Sequence, residues 1–162
     1  VCEGKAVTRR IVTVTGDGAN APKNLIVRLG ASFKEAIEAA GGLAEDTVKV
    51  LAGGPMMGVA QQDLDVPVLK GTNAILCLKE TPPRPETPTC IRCSRCVAVC
   101  PMHLQPLYLY RFEKSGNVQE LQRLHLTDCI ECGSCAYVCP GNLPLVERFR
   151  AGKSLLKEAQ KA

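Results

Sequence analysis

Two short stretches of the chain carry the same pattern of cysteines. Residues 90–101 read CIRCSRCVAVCP, and residues 129–140 read CIECGSCAYVCP. Both follow the pattern C-x2-C-x2-C-x3-C-P, which is typical of bacterial ferredoxins that bind two iron–sulfur clusters. The second half of the chain is therefore predicted to bind two [4Fe–4S] clusters through eight of its ten cysteines.

The spacing also predicts which cysteines share a cluster. Three cysteines on a tight loop can hold three corners of one cubane. The fourth, which precedes proline, is expected to enter a helix and to reach the other cluster. Cluster I is then assigned to Cys90, Cys93, Cys96 and Cys139, and cluster II to Cys129, Cys132, Cys135 and Cys100. Such crossed ligands would stabilise a region that has few large side chains.

Two other interpretations of the cysteines are weaker. Two structural zinc sites would use four cysteines each, but zinc sites usually pair two separate C-x2-C knuckles across a longer span. Such a zinc-bound interaction module is the alternative from a different functional class. A disulfide scaffold would require an oxidising compartment and would not need two matched runs.

The charge pattern argues against a nucleic-acid partner. The formal net charge is +4, and eight cluster-bound thiolates with two doubly positive cluster cores would cancel it. No dense stripe of Lys and Arg is interleaved with aromatic residues, as nucleic-acid binding would require.

The two cysteine loops differ in charge. Arg92 and Arg95 lie in the first cysteine loop, and Glu131 lies in the second. Since positive charge favours the more negative reduced state, cluster I is expected to have the higher potential.

The chain is predicted to form two domains joined by a linker. Residues 1–80 contain two cysteines, residues 81–89 (TPPRPETPT) contain four prolines, and residues 90–162 contain the other eight cysteines. The proline-rich stretch predicts a stiff linker. No apolar run has the length of a membrane-spanning helix, and the start at Val1 indicates a piece of a longer protein.

Residues 1–80 alternate strand and helix patterns. Strands are predicted at 9–15, 24–29, 48–51, 65–69 and 74–78, and a helix at 33–40. Ser32 followed by Glu35 predicts a capping box at the start of the helix, and Gly41 its end. This order predicts an α+β fold, with a small domain of the β-grasp type before a mostly helical two-cluster domain. Helices are predicted there at 105–114, from Asn117 onward, and after Leu145, the last weakened at Gly152.

Several other features of the sequence are predicted to have structural roles. Residues 16–21 match G-x-G-x-x-A, but a strand pattern follows where a dinucleotide site needs a helix, so a hairpin turn is predicted. Residues 53–58 (GGPMMG) predict a turn whose methionines cover the core. Cys77 is expected to be a buried apolar residue, and Cys2 a free thiol. His103 and His125 are expected to be structural or solvent-facing.

The sequence resembles the RnfC family of the Rnf electron-transport complexes. The resemblance rests on residues 9–30 (RRIVTVTGDGANAPKNLIVRLG), residues 49–58 (KVLAGGPMMG), residues 65–78 (DVPVLKGTNAILCL) and the two cysteine runs. A related family is the cobalamin-reductase-like component of propanediol-utilising microcompartments. It shares the plan of a β-grasp domain followed by two clusters and is the alternative within the redox class.

The resemblance implies that the chain is part of a multi-subunit complex. Rnf complexes couple electron flow between NADH and ferredoxin to ion translocation across a membrane. The family implies a soluble-ligand-binding β-grasp domain here, while FMN and NADH would be bound by an upstream domain absent from this chain. It also implies a cytoplasmic, peripheral location on the inner face of the membrane. The expected partners are the other subunits of the complex, with ferredoxin as a further candidate. This chain alone is expected to transfer electrons and not to oxidise NADH.

Overall fold

The computed structural model describes residues 4–81 and 88–161. The chain divides into two compact units, Val1–Pro82 and Pro83–Ala162. Most of the predicted linker, 81–89, and Cys2 lie outside the described residues. Among the helices that the structure describes, none has both the length and the apolar character needed to cross a bilayer.

The first unit is a five-stranded mixed sheet with one helix. Its elements are β1 (Arg9–Thr15), β2 (Lys23–Arg28), α1 (Phe33–Ala39), β3 (Lys49–Ala52), β4 (Val59–Gln61) and β5 (Ala74–Leu78). The strand order is β2-β1-β5-β3-β4. The strands β1 and β5 are parallel, and the other neighbours are antiparallel.

The core of the first unit follows from the periodicity of its elements. Val12 and Val14 alternate with exposed or partly exposed residues along β1 and point to one face of the sheet. Phe33 and Ile37, four residues apart on α1, are buried in the same core. Cys77 of β5 is fully buried among these apolar residues, as the sequence predicts. The sheet and the helix therefore share one apolar interior.

The capping box predicted at the start of α1 is present. The Ser32 hydroxyl accepts from the Glu35 backbone N–H at 3.1 Å, and the Glu35 carboxylate accepts from the Ser32 N–H at 2.9 Å. These reciprocal bonds satisfy two backbone donors that the first turn would otherwise leave unpaired. Gly41, in the left-handed conformation, follows the helix.

The turn at residues 16–22 is confirmed as a hairpin connection between β1 and β2. Gly16 has a φ of 109°, and a Cβ atom there would lie 1.9 Å from the carbonyl oxygen of Cys77. The glycine is therefore required because the turn packs directly against β5. Asp17 fixes the same contact by accepting from the Lys79 backbone N–H at 3.0 Å.

Two sequence predictions in this unit are wrong. Residues 65–69 form no strand of the sheet, since the backbone of this segment bonds instead to the residues that lead into α1: Val68 donates to the Ala31 carbonyl. The fourth strand is β4, which follows the 53–58 turn and is only three residues long. Met56 and Met57 in that turn are 43% and 53% exposed, so they do not cover the core.

The second unit consists of short helices and cysteine loops. Its elements are α2 (Arg95–Ala98), α3 (Pro106–Lys114), α4 (Val118–Arg123), a 3-10 turn (Leu126–Asp128), α5 (Ser134–Tyr137) and α6 (Leu145–Ala159). The helices predicted at 105–114, after Asn117 and after Leu145 are confirmed. Gly152 does not interrupt α6. It is buried where a Cβ atom would lie 2.7 Å from the Leu126 Cδ2, so it lets α6 approach the 3-10 turn closely.

The second unit is an internal repeat. Each copy runs from a cysteine loop through a one-turn helix (α2 or α5) and a tight turn into a longer helix (α3 or α6). His103 and Asn142 occupy equivalent places three residues after the last cysteine of each motif. Both are left-handed, and each N–H donates to the carbonyl of that cysteine at 3.1 Å. The repeat of the cysteine pattern is thus a repeat of backbone structure.

Candidate iron–sulfur centres

Each cysteine loop is shaped by two left-handed residues. In the first copy these are Arg92 and Ser94, both with φ of 57°, and in the second they are Glu131 and Gly133, with φ of 55° and 82°. Left-handed residues reverse the course of the backbone within a few positions. The chain thus curls around a small volume, and the cysteines between and beside the two reversals line it.

Two cavities in this unit are each lined by four cysteines. One is lined by Cys90, Cys93, Cys96 and Cys139. The other is lined by Cys100, Cys129, Cys132 and Cys135. In each case three cysteines come from one motif and the last cysteine comes from the other. The structure therefore brings together the same two sets of four that the cysteine spacing assigns to clusters I and II. We call the cavities site I and site II.

The path of the fourth cysteine differs from the sequence prediction. Cys100 and Cys139 do not enter a helix; each lies just after a one-turn helix, and a turn beginning at proline follows. The third cysteines, Cys96 and Cys135, are the ones that lie in the helices. The crossing thus arises because α2 and α5 carry the chain away from its own loop and toward the other site.

Backbone and side-chain groups are directed at several of the sulfurs. The Leu104 N–H donates to Cys100 Sγ at 3.3 Å, and the Glu131 N–H donates to Cys129 Sγ at 3.4 Å. The Ser134 hydroxyl lies 3.5 Å from Cys132 Sγ and lowers the pKa of that thiol. Donors of this kind stabilise sulfur in its thiolate form, which is the form that binds metal.

Burial acts in the opposite direction on three cysteines, and at Cys129 it outweighs the donor from Glu131. It raises the pKa of the Cys135 thiol to about 12, and it also raises the pKa of Cys96 and Cys129. These groups are therefore neutral thiols at physiological pH unless a cation replaces the proton. Metal binding at such positions releases protons and contributes directly to the stability of the fold.

Helix α6 holds the site II loop through one carboxylate. Glu131 accepts from Arg150 Nε and from Lys153 Nζ, both at 2.7 Å, and Lys153 Nζ also donates to the carbonyl oxygen of Cys129 at 2.6 Å. Burial alone would raise the pKa of the Glu131 carboxyl, but the bonds from Lys153 and Arg150 outweigh it, and the pKa is lowered. We call these three residues, Glu131, Arg150 and Lys153, the α6 clamp.

The site I loop has a different environment. All five residues from Ile91 to Arg95, including Cys93, are exposed, whereas Glu131, Cys132 and Ser134 of the other loop are partly buried. The α6 clamp also changes the expected charge contrast. Because Arg150 and Lys153 offset Glu131, the second loop is not the negative environment that its sequence alone implies.

The remaining candidates have ordinary environments. His103 and His125 are exposed, in line with the sequence interpretation. Within residues 4–81 and 88–161, no three or more His, Cys, Asp and Glu side chains converge on a position for a single metal ion. A cubane does not require such convergence, since each ligating sulfur binds a different iron atom at a separate corner.

Two family models match the chain, one in each unit. An "SLBB domain" matches residues 11–60, and a "4Fe-4S dicluster domain" matches residues 89–143. The second match includes all eight cysteines of sites I and II. Together with the two sets of sulfurs, it defines the class of protein: an iron–sulfur protein in which an SLBB domain precedes a dicluster domain.

The curated relatives narrow this class further. The C subunit of the ion-translocating oxidoreductase complex of Rhodobacter capsulatus is 46% identical over 159 residues, which cover 97% of this chain and 30% of the relative. The C subunit of the proton-translocating ferredoxin:NAD(+) oxidoreductase complex of Clostridium ljungdahlii is 42% identical over 118 residues, which cover 72% of this chain and 26% of the relative. The chain is homologous to a part of the RnfC proteins of ion-translocating oxidoreductases, which confirms the resemblance seen in the sequence.

A third relative agrees with the first two. The C subunit of the Na(+)-translocating ferredoxin:NAD(+) oxidoreductase complex of Acetobacterium woodii is 42% identical over 114 residues, covering 70% of this chain and 26% of the relative. The chain thus spans less than a third of the length of these curated relatives.

Proposed function

We propose that this chain is the electron-relay segment of an Rnf-type ion-translocating oxidoreductase and binds two [4Fe–4S] clusters. Site I would bind its cluster through Cys90, Cys93, Cys96 and Cys139, and site II through Cys129, Cys132, Cys135 and Cys100. The observation that carries the proposal is that two cavities are each lined by four cysteine sulfurs. Four thiolates are the ligand set that a cubane cluster requires.

The chain's own residues ligate, bury and tune the clusters. A bound [4Fe–4S] cluster supplies one-electron chemistry. Around it, the Leu104 and Glu131 backbone N–H groups favour thiolate sulfur, and Leu109 and Phe149, which line site II and are buried, restrict access of water. Such hydrogen bonds and burial are the terms by which a protein sets the reduction potential.

We infer the assembly from the names of the relatives. Those names describe complexes that act on ferredoxin and NAD and that translocate protons or sodium ions. This chain would pass electrons between the FMN and NADH chemistry of an upstream part of the protein and neighbouring subunits, with ferredoxin as a further partner. It would lie on the cytoplasmic side, peripheral to the membrane.

We also infer that the first unit is a β-grasp domain. The support is a β1–β2 hairpin, a helix α1 after it, and the parallel pair β1 and β5 in the order β2-β1-β5-β3-β4. The match to an SLBB domain covers most of these elements.

Anaerobic reconstitution of the chain with iron and sulfide tests the cluster proposal. We expect a brown protein whose broad visible absorbance bleaches with dithionite and returns on reoxidation. Metal analysis of the protein as purified provides the opposing test. A colourless protein that contains zinc in stoichiometric amount and does not respond to dithionite would refute the electron-relay function.

A further inference from the structure

An open groove lies beside site I. It has a volume of about 610 Å³ and is shared by the first cysteine loop and by helix α3. Cys90, one of the site I cysteines, lines it, and so do Tyr108 and Tyr110 of α3. A partner in the groove would therefore lie beside a residue that would ligate cluster I.

The groove is positively charged. Arg92, Arg111 and Lys114 line it, and all three side chains are exposed. Lys114 Nζ lies 5.8 Å from the centre of the Tyr110 ring, which orders the cation along the groove. The ion pairs of the described residues join other side chains, so no carboxylate of the part that the structure describes forms an ion pair with these three cations.

The composition of the surface matches a protein interface better than a small-molecule pocket. Tyr108 in the groove is 43% exposed, and Ile91 in the adjoining loop is 66% exposed. Apolar and aromatic side chains at the centre with cations around them are the usual arrangement of a docking surface. Short-lived electron-transfer complexes in particular bury little area and depend on complementary charge.

We propose that this groove docks an acidic electron-transfer protein, whose carboxylates contact Arg92, Arg111 and Lys114 and whose redox centre faces site I. The inference rests on the proposed function, because it requires a cluster at site I. One electron passes between that cluster and the one-electron redox centre of the partner, so that one is oxidised as the other is reduced. No proton moves and no bond is formed or broken in this step.

Two small acceptor proteins of opposite charge test the docking. The reconstituted chain is reduced and mixed in a stopped-flow instrument with oxidised plastocyanin, which is acidic, or with oxidised cytochrome c, which is basic. Both are one-electron acceptors with strong optical signals. We expect plastocyanin to be reduced faster at low ionic strength, and we expect added salt to slow that reaction.

Charge reversal within the groove should remove this preference. We expect Arg111→Glu with Lys114→Glu to lower the second-order rate constant for plastocyanin about tenfold or more at low salt, while the rate for cytochrome c is unchanged or rises. Lys157→Glu with Lys161→Glu is the matched control, since these lysines are exposed but do not line the groove. An equal loss in the control, or no loss in the groove variant, would overturn the docking proposal.

A second readout does not depend on electron transfer. Carbodiimide joins a lysine amine to a carboxylate only when the two are in contact. We expect the peptide carrying Lys114 to be cross-linked to plastocyanin and the peptide carrying Lys157 not to be, as detected by mass spectrometry. If the protein bleaches normally with dithionite but its lysines are cross-linked at random, the docking surface alone is refuted. If the parent protein and the variant both fail to bleach, the proposal that the chain binds clusters is refuted.

Discussion

The two cysteine loops have the same spacing and the same backbone reversals, but different surroundings. The loop of residues 91–95 is exposed and borders the basic groove. The loop of residues 130–134 is held by α6, because Glu131 binds both Arg150 and Lys153. The cysteine pattern therefore specifies which cysteines line each site, and the helices packed around each loop specify how exposed that loop is.

This difference predicts that the two sites have different roles in electron transfer. An exposed cluster can exchange electrons with a partner that binds and leaves, because the distance to the partner is short. A partly buried cluster would be better placed to pass electrons within the proposed assembly. Variants at the crossing cysteines, at Gly152 and in the two loops test this contrast.

Removing a crossing cysteine should have the largest effect. Cys139 belongs to the second motif but lines site I. We therefore expect Cys139→Ala to abolish the site I cluster, whose potential responds to substitution of Arg92, and to leave the site II cluster intact. Cys100→Ala should do the reverse, because Cys100 lines site II. Iron content and the EPR spectrum of each reduced variant measure the outcome. If Cys139→Ala instead destroyed the cluster beside Glu131, the crossed assignment would be wrong.

Enlarging Gly152 should loosen the covered loop. The position has no room for a side chain beside the buried Leu126, and overpacking of this kind costs about 1–3 kcal/mol. Gly152→Leu should therefore lower the free energy of unfolding of the reconstituted protein by about that amount and speed the loss of iron from site II. The neighbouring Ala151 is exposed on the same helix, so Ala151→Leu is the matched control. Equal stability of the two variants would contradict the packing described for α6.

Reversing the charge of the exposed loop should shift one reduction potential. Negative charge disfavours the more negative reduced state, so Arg92→Glu with Arg95→Glu should lower the midpoint of the site I cluster. The four units of charge involved amount to about 1–2 kcal/mol at separations near 10 Å in a water-like dielectric. Redox titration at low and high salt checks both the sign and the screening expected of exposed charges. The hypothesis that cluster I has the higher potential would be refuted if neither midpoint moved.

Removing the charge of the clamp should give the smallest shift. Glu131→Gln removes one negative charge beside site II. It should raise the midpoint potential of that cluster, because the free energy of reduction becomes more favourable by about 0.5–1 kcal/mol. Since Glu131 is partly buried, this shift should depend on salt less than the arginine variants do. Glu158→Gln, at an exposed position on α6, is the control. A shift in the control that equals or exceeds that of Glu131→Gln would contradict a specific effect of Glu131 on site II.

Local patterns predicted much of the first unit. The strand β1 and the helix α1 follow from short-range periodicity, and the capping box at Ser32 depends on residues only three apart. The sequence does not predict β4, because its three residues are too few to establish an alternation. Residues 65–69 are not a strand of the sheet as the sequence predicts, because their backbone bonds to Ala31 and its neighbours instead.

The cysteine pattern predicted the grouping of the sulfurs but not the environment of each site. The left-handed residues Arg92 and Glu131 are not glycines, so nothing local indicates that the loops reverse there. The α6 clamp joins Glu131 to residues 19 and 22 positions further along the chain. Contacts over such distances depend on how α6 packs, and a single sequence carries no local signal for them.

The electronic coupling of the two reduced clusters is the sharpest test of the crossed ligand sets. Because each site takes three sulfurs from one motif and the fourth from the other, the two clusters must lie close together. We expect the fully reduced, reconstituted chain to show an EPR spectrum broadened by spin–spin interaction between two [4Fe–4S] centres, with iron and sulfide in equal amounts. A single cluster, or two signals that add without interaction, would show that the crossed assignment is wrong.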